Sequence, residues 1–199
     1  MPIKLIAAGI AIVLLSALAL TDPATAGVPT DQMRITVDRV LEILKDPKFN
    51  SLEADAARRL ELRKTIFPRF DFAEMAKRSL GAEWRRRTPT EQKEFVDLFT
   101  ELLKNSYVDS IESYRGEKVI YGRESIDEKY AEVETKITDQ RGEEFAIDYR
   151  LTLQGAEWKV YDVVIENVSI VNNYRSQFGR ILNRSSFAEL LQAIREKVR

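Results

Sequence analysis

Residues 158–178, WKVYDVVIENVSIVNNYRSQF, constrain the fold most, because this run changes from strand to helix while remaining apolar on more than one side. Its first half has apolar residues in both alternation classes, with one face predicted to carry Trp158, Val160 and Val164 and the other Tyr161, Val163 and Ile165. Asn167 is predicted to end the strand. Ser169 is predicted to cap a helix in which apolar residues recur at helical spacing, namely Ile170, Val171, Tyr174 and Phe178. This helix is therefore expected to pack back onto the sheet.

Four strands are predicted, over residues 119–122, 130–138, 143–153 and 157–166. The second and third alternate between apolar and charged residues, so one face of the sheet is expected to be solvated and the other to meet helices. The pattern predicts an α+β fold with a curved, mainly antiparallel four-stranded sheet wrapped by N-terminal and C-terminal helices. Such a cone-like arrangement can enclose an apolar cavity.

The helices before the sheet are predicted from apolar periodicity over residues 36–44, 52–66 and 70–80, with Gly81 closing the third. Residues 27–31 are expected to be flexible.

The longest helix is predicted to begin with Thr90 as its N-cap. Lys93 stands at the third position where a capping box needs Glu or Gln, so the box is expected to be incomplete. Residues 115–117 are predicted to end the helix. Its broad apolar stripe consists of Phe95, Phe99, Leu102, Leu103, Tyr107, Ile111 and Tyr114.

The N-terminus has the pattern of a secretory signal peptide. Lys4 precedes an uncharged apolar stretch over residues 5–20, and residues 24–26 are small, so cleavage is predicted before Gly27. An uncleaved anchor is the alternative, but residues 21–23, Thr-Asp-Pro, interrupt a stretch that is short for a membrane span. We therefore expect residues 1–26 to be removed, residues 27–199 to form a single domain, and the protein to reside in the periplasm of a Gram-negative cell.

Composition excludes several function classes. The net charge of −1, unchanged by loss of Lys4 and Asp22, argues against nucleic acid as the main partner. The chain has no Cys, so disulfides and a lipid-modified cysteine are excluded. With no His either, the usual general base, thiol nucleophile and zinc ligands are lacking, and no metal or catalytic residue is predicted.

Two groups of polar residues are candidates for a functional role. Tyr161 and Asp162 resemble an enzymatic donor and base, but neighbours on a strand point to opposite faces, so Asp162 is interpreted as a structural hydrogen-bond partner. The run Arg85, Arg86 and Arg87 fits either a solvated loop or an exposed rim for an anionic headgroup or an acidic partner surface.

The main functional signal is an excess of apolar residues on elements predicted to face one another. Packed core and the lining of a lipid cavity both account for these residues, and spacing does not separate the two. The candidate lining residues are Phe72, Met75, Leu80, Trp84, Phe99, Leu103, Tyr107, Tyr149, Leu151, Tyr161, Val163, Ile165, Val171, Tyr174 and Phe178.

Several short motifs resemble the MlaC family of periplasmic phospholipid carriers, also called toluene-tolerance auxiliary transport proteins. The resemblance covers nearly all of residues 27–199. It rests on Phe-Asp-Phe at residues 70–72, Leu80-Gly81 with Trp84, Thr90 and Gln92, Tyr161-Asp162, Val168-Ser169, and Tyr174-Arg175-x-Gln177-Phe178. The family implies a cavity that holds the acyl chains between sheet and helices and leaves the headgroup near solvent.

The resemblance also implies cargo and partners. The cargo is phospholipid, with no cofactor, and the expected function is to maintain the lipid asymmetry of the outer membrane. The implied partners are an inner-membrane MCE-domain protein with its ABC transporter and an outer-membrane lipoprotein complex, and the chain is expected to be a monomer. Three alternatives stay open: a carrier of another lipid such as a hopanoid, a cavity enzyme of ketosteroid-isomerase type, and a periplasmic chaperone.

Overall fold

A computed structural model describes residues 28–49, 51–112, 118–138 and 141–198. Within these ranges the helices are α1 (Val28–Lys45), α2 (Asp55–Ile66), α3 (Phe72–Leu80), α4 (Pro89–Glu112), α5 (Ile170–Leu182) and α6 (Phe187–Val198). The strands are β1 (Lys118–Asp127), β2 (Tyr130–Thr138), β3 (Glu144–Gln154), β4 (Glu157–Ile165) and β5 (Val168–Ser169). The predicted signal peptide, Tyr114 and the predicted helix end at residues 115–117 lie outside the described residues.

The strands form one antiparallel sheet in sequential order, β1-β2-β3-β4-β5. The predicted α+β class is confirmed, although the sheet has five strands because the two-residue β5 pairs with the end of β4. β1 also continues to Asp127, beyond the predicted end at residue 122. At the outer edge of β4, Phe70 forms a bridge to Val160, and the Asp71 N–H donates to the Val160 carbonyl at 2.8 Å. This contact fixes the start of α3 against the sheet.

A bulge in β4 changes which of its residues share a face. Arg150 pairs with Asp162 and Leu151 pairs with Val160, so Tyr161 has no partner of its own on β3. An extra residue of this kind reverses the alternation for the rest of the strand. A second irregularity interrupts the pairing of β1 with β2 at residues 122–123.

The β4 bulge overturns the predicted division of faces. Val163 and Ile165 pair with Tyr149 and Ile147, whereas Val160 pairs with Leu151 on the same face of β3. Trp158, Val160, Val163 and Ile165 therefore share one face, which we call the inner face because the helices cover it. Val164 lies on the outer face together with Asp162. The prediction that Trp158, Val160 and Val164 share a face opposite Tyr161, Val163 and Ile165 was wrong.

α1 begins eight residues before the predicted helix, at Val28 rather than residue 36, so the expected flexibility of the segment before it was wrong for residues 28–31. Its first turn is tied to the sheet, because the N–H and hydroxyl of Thr30 donate to the Glu124 carboxylate at 2.8 and 2.5 Å. Further along the helix, the Gln32 amide accepts from the Trp158 N–H at 2.9 Å and donates to the Ala156 carbonyl at 3.0 Å. Contacts distant in sequence hold this end in place.

α4 begins with a complete capping box. The Thr88 hydroxyl accepts from the Glu91 N–H at 3.3 Å, and the Glu91 carboxylate accepts from the Thr88 N–H at 2.8 Å. Thr90 is therefore not the cap, and the expectation of an incomplete box was wrong. Pro89 occupies the first helical position, where its fixed φ and missing N–H suit a helix start.

The predicted ends of α3 and α5 are confirmed. Gly81 closes α3 at a positive φ of 59°. Ser169 caps α5, since its hydroxyl accepts from the Asn172 N–H at 3.0 Å.

Buried apolar side chains form two groups. The larger one joins α1, α3, α4, α5 and α6 to the inner face of the sheet. The smaller one joins the end of α1 to α2 through Ile43, Phe49 and Leu62. The predicted lining residues all belong to the larger group or pack against it.

Candidate functional site

The inner face of the sheet is buried unevenly. The closed end has a buried centre formed by Ala131, Val133, Leu151, Trp158, Val160 and Val163. At its margin Ile126 and Leu153 are 54 % and 38 % exposed. The open end, formed by Tyr121, Ile137, Phe145, Ile147, Tyr149 and Ile165, keeps accessible surface on every side chain. Phe145 is 41 % exposed although it lies on the helix-covered face. The apolar surface at the open end therefore exceeds what the helices cover.

Tyr149 is a partly accessible aromatic residue in the middle of the open end. It lies on β3, between β2 and β4, and burial raises the pKa of its phenol to about 12. The side chain nevertheless keeps accessible surface. The ring is therefore enclosed by protein on most sides and accessible on the rest.

Tyr121 brings an unused polar group to the open end. Its hydroxyl is buried and has no hydrogen-bond partner among the residues that the structure describes, and burial strongly raises the pKa of the phenol. The guanidinium of Arg34 from α1 lies 4.6 Å from the centre of the ring. An unpartnered buried donor is costly, so this hydroxyl is available to a ligand oxygen.

α4 shows the same gradient along its length. Phe95 and Phe99 in its first half are 0 % exposed, whereas Tyr107 and Ile111 in its second half are partly exposed. Burial and the nearby Tyr174 raise the pKa of the Tyr107 phenol. The helix thus contributes tightly packed residues at one end and accessible apolar residues at the other.

Close aromatic packing joins α4 to α5. The Phe99 ring lies 5.2 Å from that of Tyr174 and 5.7 Å from that of Phe178, both edge to face. Phe95 packs edge to face on Phe178 at 5.5 Å. This aromatic cluster of Phe95, Phe99, Tyr174 and Phe178 fills space and holds the helices together.

The predicted lining residues occupy three environments. One group is buried in the larger core: Met75, Leu80, Phe99, Leu103, Leu151, Val163, Val171, Tyr174 and Phe178. A second group is partly exposed beside that core: Phe72, Tyr107, Tyr149 and Ile165. Trp84 and Tyr161 are also partly exposed, but with Val171 they border a basic depression between α3, β4 and α5.

Tyr161 and Asp162 both line that depression. The prediction that these two neighbouring side chains point to opposite faces and do not meet was wrong. The bulge brings both side chains to one place even though they are neighbours on a strand. Asp162 is nonetheless a structural hydrogen-bond partner, as predicted. Its carboxylate accepts from the Ser169 hydroxyl at 2.6 Å and the Val171 N–H at 3.1 Å, and it pairs with Arg150 at 3.3 Å.

The three consecutive arginines separate. Arg85 is exposed and lines the basic depression. Arg86 is exposed and pairs with Glu83 at 2.7 Å. The Arg87 side chain is only 20 % exposed and pairs with Glu83 at 3.4 Å. Its guanidinium lies 4.8 Å from the centre of the Phe187 ring. A common exposed rim was therefore the wrong expectation for Arg87.

Comparison with known proteins identifies the chain's relatives. The family model described as MlaC protein matches residues 34–196, which is most of the chain. The chain belongs to the MlaC family.

The matches to two individual relatives cover most of both chains. The chain is 27 % identical over 176 residues to toluene tolerance protein ttg2D of Pseudomonas putida, covering 87 % of this chain and 81 % of that one. It is 21 % identical over 164 residues to the intermembrane phospholipid transport system binding protein MlaC of Haemophilus influenzae, covering 76 % and 77 %.

A solved structure of a phospholipid-binding protein has the same fold. The phospholipid-binding protein from Ralstonia solanacearum, determined in complex with a phospholipid at 1.53 Å, superposes with a TM-score of 0.75 at 27 % identity. The match covers 85 % of this chain and 96 % of that one. This structural neighbour therefore has a bound phospholipid.

Four residues of the open end are absent from the predicted lining set, namely Tyr121, Ile137, Phe145 and Ile147. Ile137, Phe145 and Ile147 each have at least one charged neighbour along the strand, so the alternation signal was present for them. Tyr121 lies between Ile120 and Gly122 and gives no such signal. The predicted lining residues lie mainly on the helices and on β4 instead.

Neither a metal site nor a membrane span is found in the described part of this MlaC chain. No group of three or more acidic side chains there could hold a metal ion. None of the helices over residues 28–198 that the structure describes is long and apolar enough to cross a membrane.

Proposed function

We propose that this protein binds a phospholipid by its acyl chains at the open end of the inner face and carries it through the periplasm. Its donors and acceptors would be an inner-membrane MCE-domain protein with its ABC transporter and an outer-membrane lipoprotein complex. The observation that supports this most is the uncovered apolar surface at the open end, in a family with a phospholipid-bound relative.

The energetics of transfer explain why such a carrier is needed. Burying an acyl chain stabilises it by about 0.8 kcal/mol per methylene, so a phospholipid leaves a membrane for water very slowly. An apolar surface between β3 and α4 offsets that cost during transit. Tyr149, Ile147 and Tyr107 supply partly accessible apolar surface for this purpose.

The remaining predicted lining residues fit a supporting role in this proposal. Met75, Leu80 and the aromatic cluster are buried and back the wall, while Phe72, Tyr107, Tyr149 and Ile165 would contact the chains. The free hydroxyl of Tyr121 is placed to donate to an ester carbonyl of the lipid.

The inner face favours binding over catalysis. By register, Glu124 is the acidic residue on the inner face of the described strands, and its carboxylate already accepts two hydrogen bonds from Thr30. An enzyme of ketosteroid-isomerase type needs an acidic group that is free to take a proton from a bound ligand. The proposed function is therefore that of a binding protein and carrier.

Periplasmic residence follows from residues 1–26 in this proposal, since their pattern is that of a cleaved signal peptide. Expression of the full chain in a Gram-negative host, followed by N-terminal sequencing of the periplasmic product, tests this. A mature N-terminus at Gly27 is expected.

The lipid itself is tested by mass spectrometry of organic extracts from protein purified without detergent. We expect diacyl phospholipid at about one molecule per chain, since the open end is a single site. A hopanoid as the main lipid would identify a different cargo, and an extract without lipid would contradict carriage.

A matched pair of variants tests the site. Ile147→Trp fills space on the inner face, whereas Ile120→Trp adds the same bulk on the outer face of β1, where Ile120 is 51 % exposed. We expect Ile147→Trp to lose most of its bound lipid and Ile120→Trp to keep it, with both circular-dichroism spectra unchanged. Equal lipid content in the two folded variants would place the ligand elsewhere.

A further inference from the structure

A basic depression lies where the edge of β4 meets α3 and α5, and it has a volume of about 500 Å³. We call it the basic pocket. It is distinct from the open end, because Arg150 and Asp162 lie on the outer face of the sheet by register. Its charged lining residues are Lys77, Arg78, Arg85, Arg150, Arg175 and Asp162.

Positive charge dominates this lining. Asp162 is the only acid that lines the basic pocket among the described residues, against five basic side chains. The Asp162 carboxylate is 3 % exposed, and its oxygens already accept from Ser169, Val171 and Arg150. Glu74 beside the pocket pairs with Lys77 and Arg78. Among the described residues, the positive charge left without an acidic partner is therefore that of the two remaining arginines.

Two of the guanidinium groups are held in fixed positions. The Arg78 Nε donates to Glu74 at 2.8 Å, and its guanidinium lies 4.1 Å from the centre of the Tyr161 ring. Arg150 is held by Asp162 at 3.3 Å and Glu132 at 3.7 Å. Each guanidinium has further N–H groups that these partners do not use. Fixed donors of this kind lose little conformational entropy on binding an anion.

Two other guanidinium groups have no acidic partner. Within the described part of the chain, neither Arg85 nor Arg175 forms an ion pair. Arg175 lies against Gly81, where a Cβ would be 2.9 Å from its Nε. The missing side chain of Gly81 thus allows this cation to lie against the backbone beside the pocket. Like charges gathered without counter-ions repel one another, and a bound anion would relieve that repulsion.

The pocket also has an apolar wall, formed by Trp84, Tyr161 and Val171. We propose that the basic pocket binds the phosphoryl group of a small organic phosphate, with Arg175 and Arg85 as the main ligands and the wall packing on the organic part. Guanidinium forks match phosphate oxygens geometrically, and this favours phosphate over a simple halide. The proposal does not depend on acyl-chain binding at the open end.

Isothermal titration calorimetry of the full-length mature protein in about 150 mM NaCl, where long-range attraction is screened, tests the proposal. The probes are glycerophosphoethanolamine, glycerol 3-phosphate and inorganic phosphate, each titrated separately. We expect saturable binding of at least one probe. The affinity should fall about tenfold or more in Arg175→Gln and in Arg85→Gln, because each loses charge-assisted hydrogen bonds.

Two further variants make the result interpretable. Arg86→Gln removes a neighbouring exposed charge that pairs with Glu83 outside the pocket, so it should bind as the wild type does. Arg175→Lys keeps the charge but loses the planar fork, so it should recover only part of the affinity. Circular dichroism establishes that each variant is folded.

The preferred probe identifies the source of the phosphate. Tighter binding of glycerophosphoethanolamine than of inorganic phosphate indicates a lipid headgroup, whereas the reverse order indicates a free-phosphate site. Both orders support a phosphoryl site. Absence of saturable binding for all three probes overturns the proposal, as does binding that Arg85→Gln and Arg175→Gln leave unchanged. Neither outcome bears on lipid content at the open end, so the two functions fail separately.

Discussion

The closed and open ends of the inner face have similar amino-acid composition but different packing. Leu151 and Val133 at the closed end are completely buried, whereas Ile147 and Ile137, on the same two strands, keep accessible surface. The same contrast appears along α4. α4 presents Phe95 and Phe99 in its packed half and Tyr107 and Ile111 in its accessible half.

This comparison shows how one sheet face can provide both stability and a binding surface. A packed core stabilises a fold because its side chains fill space, and a ligand site requires that similar side chains leave space unfilled. The proposed function assigns the two requirements to opposite ends of the same strands. Stability and ligand affinity should therefore respond to different substitutions.

The largest expected effect is at the aromatic cluster. Phe99→Ala removes a fully buried ring that packs on Tyr174 and Phe178, and should lower the free energy of unfolding by about 3–5 kcal/mol. Urea denaturation followed by circular dichroism measures this. A loss below about 1 kcal/mol would mean that the cluster is loosely packed and that the comparison fails at its packed end.

A direct comparison on β3 should give the next largest effect. Leu151→Ala should destabilise the fold by about 2–5 kcal/mol, because the side chain is 0 % exposed. Ile147→Ala should cost only about 1 kcal/mol, because its side chain is partly accessible already. Denaturation of the two variants in parallel measures the difference. Equal losses would show that the open end is packed as tightly as the closed end.

Alkaline pH tests the depth of Tyr149. Its folded-state pKa of about 12 exceeds the ordinary value for tyrosine, so the folded protein retains a proton that the unfolded chain loses. The free energy of unfolding should therefore fall as pH rises above about 10, by about 1.4 kcal/mol for each unit of pKa difference. The protective effect is fully present below that pH.

Tyr149→Phe serves as the control for this titration. Denaturation midpoints between about pH 9 and 12 should fall less steeply in the variant, since one of the late-ionising phenols is gone. The raised pKa values of Tyr107, Tyr121 and Tyr161 leave a residual slope. Identical slopes for wild type and variant would place Tyr149 in contact with bulk water.

The smallest expected effect concerns the Tyr121 hydroxyl. Tyr121→Phe should change the stability of the lipid-free protein by less than about 1 kcal/mol, because it removes a donor that has no partner. Lipid affinity should fall several-fold if that hydroxyl donates to a bound ester. Fluorescence titration with a phospholipid that carries a reporter acyl chain measures it, and an unchanged affinity would remove Tyr121 from the site.

Much of this fold was predictable from local patterns. Alternation in β2 and β3 identified the inner face, and Ser169 and Gly81 were recognised because capping positions favour particular residue types. The α4 cap was missed although Thr88, Pro89 and Glu91 form a complete signature. Thr90 was predicted as the cap in place of Thr88, although the sequence contains the full capping-box pattern.

Other features depend on contacts that no local pattern contains. The bulge at Tyr161 requires β3 as a partner, so alternation alone assigned Val163 and Ile165 to the wrong face relative to Val160. The first turn of α1 is ordered by Glu124, far along the chain. The basic pocket combines Arg78, Arg150 and Arg175 from three separate elements, so no local pattern predicts it. A contiguous run such as residues 85–87 is visible in the sequence, but only Arg85 of that run lines the pocket.

The irregular pairing at residues 122–123 of β1 affects how copies of this chain behave together. β1 is an edge of the sheet, and a regular exposed edge offers a ladder of unpaired N–H and C=O groups to another strand. The bulge breaks that ladder, and the exposed Arg123 adds a charge at the same point. Strand addition between molecules is thereby disfavoured. Apolar side chains at the open end can therefore stay accessible without the β1 edge recruiting a second copy of the chain by strand pairing.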